Sequence, residues 1–482
     1  MSKTSISFVR GEMLEQQEPP VTERGAIKWL RENLFSGVFN TILTIFGLAA
    51  VVFLVMGMLP WFLNGVWNAG SLGECRSIIA ASAGEGATGA CWAMLNERWH
   101  QFIFGFYPQD LFWRPILAFG LMFIAMAPVL YYGLREASTY LVGAVSVLLV
   151  LALYADGFET RYLLLVAIGL AQLTAVAWVA PERLLWVTFL YPAIGFFLLW
   201  GGSVWGPIGI LGGFAILSLV SGKLRGAFGV PMAVGLGLLQ AVVWWMFIQT
   251  PTTTLLHDAF PIGLRPVDSD EFGGFLLAFV IGVTAVAASL PIGILLALGR
   301  QSDMVLVKSL SVGFIEFVRG VPLITMLFVA SLLLQYFLPP NSNFDLILRV
   351  IILVTLFASA YIAEVIRGGL AALPKGQYEA ADALGLDYWQ AQRMIIMPQA
   401  LKISIPGIVS SFIGLFKDTT LVALVGLADP LQGITKIVRA DSNWKGIYWE
   451  PFLFVGVIFF IACFGMSRYS MYLERKLKTD HR

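Results

Sequence analysis

Two four-residue patterns place opposite charges where they can meet: Glu316-x-x-Arg319-Gly320 and Glu364-x-x-Arg367-Gly368. Residues three apart share a helix face, so each pattern can close an ion pair. Both sit in long apolar stretches, where an unpaired charge is costly. Glu316, Arg319, Glu364 and Arg367 are therefore expected to form one local cluster, crossed between two helices of opposite direction. The plainer reading of that cluster is a packing staple, in which case Glu316→Gln should disturb folding or assembly. Loss of activity with normal assembly would instead mark a gate. Lys417 and Asp418 stand mid-segment and adjacent. Neighbours on a helix point about 100° apart, so these two cannot neutralise each other on one face. One can look toward another subunit and the other, with Thr419, into a polar path between helices. A helix-interface ion pair, or a helix break near the membrane surface, are the open alternatives.

Other chemistries lack their residues. Gly222-Lys223 is followed by Leu224 and has no upstream glycine, so no phosphate-binding loop is present. His100, His257 and His481 are scattered, and no Cys/His cluster suggests a metal. Neither a nucleophile elbow nor a carboxylate pair stands out. The chain is expected to be no enzyme and to carry no cofactor of its own.

A different kind of site is suggested by the polar island 374–402, set between two apolar segments. Pro374 stops the preceding helix, and the residues from Gln377 to Arg393 are good helix formers. Ala380, Ala381, Ala383 and Leu384 make a small-residue surface, and Gly385 permits a turn. A second helix is expected over Tyr388 to Met397, ending at Pro398. An amphipathic helix lying on lipid headgroups would carry a Lys/Arg-rich polar face. This one carries Glu379, Asp382 and Asp387, which favours docking by a soluble protein.

The elements that must position these residues are membrane helices. Of 482 residues, 58% are hydrophobic and only 13% charged, about half the charge of a soluble domain. Apolar runs of about 17–25 residues cross a bilayer as helices, because lipid offers the backbone no hydrogen-bond partner. Twelve are expected, at 38–63, 113–132, 139–155, 162–180, 184–201, 206–221, 227–249, 272–299, 312–338, 345–373, 403–428 and 451–473. The short run 206–221, with Pro207, and 403–428, with its two charges, are the least regular. Lys and Arg concentrate in one set of loops, which the positive-inside rule assigns to the cytoplasm together with both chain ends and the island. The first residues, 1–37, read as a polar tail, and no cleavable leader is evident.

The chain is expected to divide near residue 271, after a proline-bearing linker from Thr250 to Glu271. Upstream lie seven apolar segments (38–271); downstream lie five (272–482), which hold nearly all the patterned polar residues. Matching motifs in the two halves are absent. Trp186, Trp244 and Trp245 suit interfacial anchoring. Cys75 and Cys91 share the exported loop 64–112 and are expected to pair as a disulfide, worth about 3 kcal/mol. Two free thiols are the alternative.

The stretch from Gly376 to Leu386, running on to Pro398-Gln399-Ala400-Leu401, resembles the signature loop of permease subunits of bacterial ABC importers, the polar amino acid branch above all. Glu379-Ala380-Ala381, Asp382, Gly385, Ile395 and Pro398 occupy the family's positions, and Met397 stands where leucine is commoner. Glu316 to Leu323, Ala363 to Gly369 and Lys417 to Val422 are similar to further family motifs, with Val321 in place of the usual Thr or Ser. The likeness covers 272–473. Gly89-Ala90-Cys91-Trp92-Ala93 and Tyr107-Pro108 look like the enlarged permeases of general L-amino acid importers. The resemblance implies an all-α polytopic integral membrane protein with a C-terminal five-helix type I ABC importer permease core. It implies that the island is a coupling helix seated in a groove of a separate ATPase dimer, which binds the ATP and Mg. It also implies a second related permease subunit, a periplasmic amino-acid-binding protein and a Gram-negative inner membrane. A stand-alone secondary transporter driven by an ion gradient is the alternative.

Overall fold

The computed structural model describes residues 25–132, 134–333, 336 and 345–477. Residues 1–24 of the expected tail, the loop 339–343 and Lys478 lie outside them. Two compact units are distinguished, residues 1–96 and 97–482.

In the first unit, α1 (Gly25–Asn33) precedes α2 (Val38–Leu63), then α3 (Leu72–Ala83) and the start of α4 (Ala93–Phe104). α2 is apolar on every side and has no buried residue, as befits a helix whose neighbour is lipid. Ser71 caps α3 by accepting from the Glu74 amide. A disulfide joins Cys75 in α3 to Cys91, and both side chains are buried. The loop is pinned at the same place by the Val66 amide, which donates to the Ala90 carbonyl at 2.8 Å.

The second unit continues with α5 (Trp113–Leu130), α6 (Arg135–Ala155), α7 (Thr160–Val179), α8 (Leu185–Trp200), α9 (Trp205–Val243) and α10 (Gln249–Ala259). Gly229 kinks α9, so that two candidate spans, Trp205–Val230 and Met232–Ala259, replace the shorter expected runs. The proposed linker is thus helical as far as Ala259. A two-stranded antiparallel patch, β1 (Gly202–Ser203) against β2 (Gly263–Leu264), closes this part.

The remaining helices are α11 (Gly274–Gln301), α12 (Val305–Gly320), α13 (Leu323–Phe328), α14 (Leu346–Ala371), α15 (Lys375–Ala383), α16 (Tyr388–Ala391), α17 (Met397–Asp418), α18 (Pro430–Ala440) and α19 (Trp449–Leu477). Eleven described helices are long and apolar enough to cross a membrane, or up to twelve if a bent pair counts as one span. That pair corrects the expected span 312–338. Its two parts, α12 and the segment Leu323–Leu333, meet at 103°. Pro322 lacks the N–H a continuous helix would need and pushes Val321 into an extended conformation.

Cores follow the helix faces. One cluster draws Leu111, Phe112 and Leu199 together with Phe272, Leu276, Leu327 and Val350, so the packing is continuous across residue 271. A second, around Ile124, Leu149, Leu153 and Leu163, belongs to α5–α8. A third gathers Ile315, Ile362, Ile366, Ile396 and Ala400 beneath the island. There small residues let helices approach closely: a side chain on Gly369 would collide with Ser404 and the Ala400 carbonyl, and one on Gly407 with Val365.

Candidate functional site: the hairpin 374–402 and the charges behind it

The island is a two-armed helical hairpin. α15 ends in a reverse cap: the Gly385 amide donates to the Asp382 carbonyl at 2.9 Å and the Leu386 amide to the Ala381 carbonyl at 3.2 Å. Gly385 has φ +70°, which explains why glycine stands there. Two residues later Asp387 opens the second arm through a capping box with Gln390, each accepting the other's backbone amide. Gln399 Nε2 donates to Gln377 Oε1 at 2.9 Å and ties the arms together.

Pro398 does not end the second arm. The turn Gln392–Ile396 widens to a π-helix, and the chain runs on into α17. The wide turn lies just upstream of the proline, where its missing N–H and its ring would otherwise break a regular helix.

Ala381 is buried against the core, whereas Glu379, Ala380, Asp382 and Gly385 are exposed. So are four large apolar side chains, Leu384, Tyr388, Trp389 and Met394, of which Leu384 is 73% accessible. A solvated loop gains nothing from such a patch, whereas a partner's groove would bury it. Leu384 belongs to the surface expected from the sequence; Tyr388, Trp389 and Met394 extend it, and their signal is large apolar side chains inside an otherwise polar island.

Behind the hairpin Glu364 is the hub of the charge cluster. It accepts from Arg367 Nε at 2.6 Å and Arg300 Nη1 at 3.2 Å, and Arg319 Nη1 stands 3.6 Å away. Glu316 does not pair with Arg319; it takes Arg300 Nη1 at 2.8 Å. Arg300, the penultimate residue of α11, therefore bridges the two carboxylates. The sequence reading left it in a loop, and its only signal was closeness to the end of the preceding span. Glu364 is 18% exposed and its arginines 24–42%, so the cluster is half-solvated.

Lys417 and Asp418 stand at a helix end, not in the middle of one. They close α17, and Phe416 and Thr419 pack beside Gly282, eight residues into α11. At 1.5 Å per residue that is about 12 Å from the start of α11, on the half of the helix away from the hairpin. Lys417 is exposed and Asp418 half-buried. Thr419 is buried and its hydroxyl donates to the Phe416 carbonyl at 2.7 Å, so it offers no free donor to a pathway. The chain beyond is a 3-10 turn, Thr419–Val425, which packs near α13 after the bend at Pro322. Among the described residues no group of His, Cys, Asp or Glu could hold a metal ion. A recess of about 430 Å³ between α5, α8, α11 and α14 is walled by Phe119, Tyr191, Phe279 and Ile351, surfaces for hydrocarbon rather than for a zwitterion.

Long apolar helices interrupted by one polar helical hairpin have the layout of a membrane-embedded transport subunit. Comparison with known proteins agrees. Residues 289–479 match the family described as binding-protein-dependent transport system inner membrane component. The chain is 61% identical, over 99% of its own length and all of the relative's, to the glutamate/glutamine/aspartate/asparagine transport system permease protein BztC of Rhodobacter capsulatus. It is 34% identical, over 94% of both chains, to the inner membrane amino-acid ABC transporter permease protein YhdY of Escherichia coli. Among solved structures, one titled as an amino acid ABC transporter with histidines shares 29% identity, with a TM-score of 0.38 over 42% of this chain and 91% of that one. The chain belongs to the family of amino-acid ABC transporter permeases. It is an integral membrane permease subunit, and the ion-gradient alternative is not favoured.

Proposed function

We propose that this subunit carries L-amino acids of the acid and amide class across the bacterial inner membrane by alternating access. The 61% identity to a permease named for glutamate, glutamine, aspartate and asparagine supports that substrate class. The hairpin 374–402 couples the subunit to a separate ATPase dimer, which holds ATP and Mg; the chain itself is not catalytic. A second related permease completes the pathway, and a periplasmic binding protein delivers the substrate. The hairpin lies on the cytoplasmic side, as do both ends of the chain. Lys417 faces the second permease, and Asp418, at the end of α17, faces the ammonium of a passing substrate.

One observation carries the coupling role: the exposed Leu384, Tyr388, Trp389 and Met394, held on a capped and cross-tied hairpin. The test is uptake by the assembled complex in vesicles containing ATP. Gly385→Val forces a β-branched residue into the left-handed region at a cost of about 1–2 kcal/mol and skews the second arm. ATP-driven uptake should fall by roughly tenfold or more, about 1.4 kcal/mol per decade, with the ATPase lost from the purified complex and the permease pair retained. Unchanged uptake, or crosslinkers at Trp389 that capture only lipid, would refute the reading.

A further inference from the structure

Four helix ends meet at one place in the second unit: the last residues of α5 and α7 and the first of α6 and α8. Between them lies a cleft of about 260 Å³ walled by Tyr131, Tyr132, Arg135, Ser138 and Glu182. No side chain caps α6, so the amides of its first turn have no intrahelical acceptor and point their positive end at the cleft mouth. Ser138 is only 1% exposed, and its Oγ has no hydrogen-bond partner among the described residues. A buried hydroxyl left unsatisfied is costly, and this one lines a cleft that could hold its partner.

Aromatic rings set the depth of the cleft. The Arg135 guanidinium lies over Trp178 at 5.1 Å, Tyr131 meets Tyr469 edge-on, and the Tyr469 hydroxyl donates to the Leu130 carbonyl. A collar of Trp and Tyr at the ends of apolar helices marks the headgroup layer of a bilayer. The charges lining the cleft balance, Arg135 against Glu182. A free dianion would take Arg135 and leave the Glu182 carboxylate beside it without a cation. A group with both a phosphate and an N–H-bearing cation would not.

We propose that this cleft binds the headgroup of a phospholipid that carries a primary ammonium. The phosphate takes the first-turn amides of α6, Arg135 and the Ser138 hydroxyl, and the ammonium donates to Glu182. Helix N-termini are suited to phosphate for the reasons of dipole and free amides already given. The site is separate from the hairpin and does not depend on what is transported.

The test is native mass spectrometry of the delipidated full chain, titrated with defined lipids and with inorganic phosphate as competitor. Phosphatidylethanolamine should bind roughly tenfold more tightly than phosphatidylcholine, whose quaternary ammonium donates no hydrogen bond, or phosphatidylglycerol, which has no ammonium. Ser138→Ala, which removes one oxygen and little volume, should weaken phosphatidylethanolamine by about threefold or more. Glu182→Gln should erase its preference over phosphatidylglycerol while leaving phosphatidylglycerol binding in place. Equal retention of the three lipids, or indifference to both variants, overturns the proposal. So does displacement of the lipid by millimolar inorganic phosphate, which would assign the cleft to a free anion.

Discussion

The two ends of the second unit hold their arginines in opposite ways. At the end away from the hairpin, Arg114 is 2% exposed and gives Nη1 to the Arg265 carbonyl at 2.6 Å, with no ion-paired carboxylate among the described residues. Around it Tyr107 donates to the Leu199 carbonyl at 2.8 Å, and Trp200 Nε1 donates to Ser269 Oγ at 2.9 Å. Burial pushes the Tyr107 hydroxyl up to about 12 against the opposing pull of the Arg114 guanidinium, so it stays a donor at any physiological pH. At the hairpin end Arg300, Arg319 and Arg367 crowd around carboxylates that water still reaches. Directional bonds to buried backbone tolerate little movement. Half-solvated ion pairs can exchange partners at small cost, because screening and hydration replace much of what is lost. The comparison teaches where motion is cheap: beside the hairpin, not at the far end.

The contrast can be broken, most sharply at the far end. Arg114→Ala should cost about 3 kcal/mol, from an orphaned Arg265 carbonyl and a cavity among packed rings. A fall in the melting temperature of the purified chain would register it; an unchanged value would mean that the far end is not rigidly held. Next comes Glu364→Gln, which leaves three arginines facing a neutral amide. Partial solvation limits the loss to about 2 kcal/mol, less than for a fully buried pair. A larger loss than that of Arg114→Ala would reverse the ranking of the two ends. Glu316, more than half exposed, pairs with Arg300 alone. Glu316→Gln should therefore cost under about 1 kcal/mol and leave assembly intact. If uptake nonetheless collapsed in that variant, the cluster would be a gate and not a staple.

The smallest effect concerns pH. His100 stacks on Phe112, and burial lowers its pKa below the ordinary imidazole value, although Asp156 opposes this. A lowered folded value means that the unfolded chain binds the proton more readily, so stability should decline as pH falls through the ordinary histidine range. His100→Gln should flatten the change in melting temperature between about pH 7.5 and pH 5. An undiminished slope would assign that pH dependence to other groups.

Much of the fold was legible because lipid leaves the backbone few choices. Long apolar runs had to be helices, and Pro374 and Gly385 had to interrupt them. The clustering of Glu364 with Arg367 and Arg319 followed from spacing on neighbouring helices. What escaped the sequence needed a third element or a local adjustment of geometry. Arg300 comes to the cluster from α11, and no spacing rule links it to Glu316. Pro398 was expected to stop a helix, but a single widened turn absorbed it. Pro322, by contrast, turned the single span expected over 312–338 into two parts at 103°. The depth of Lys417 could not be counted from the sequence, because the helix that contains it begins outside the apolar run, in the hairpin. The burial of Arg114 depends on the segment around Arg265, about 150 residues away in the chain, and no local pattern announces it.

The unbroken path from Tyr388 through the π turn to Asp418 makes the second arm and its transmembrane span one rod. At 1.5 Å per residue it is roughly 45 Å long. Pro406 lies within it and removes one backbone hydrogen bond, so a tilt imposed at Trp389 reaches Asp418 as the swing of an oar that flexes at one known point. Beside that point Gly407 packs on Val365, and Gly369 on Ser404 and the Ala400 carbonyl, with no room for a side chain.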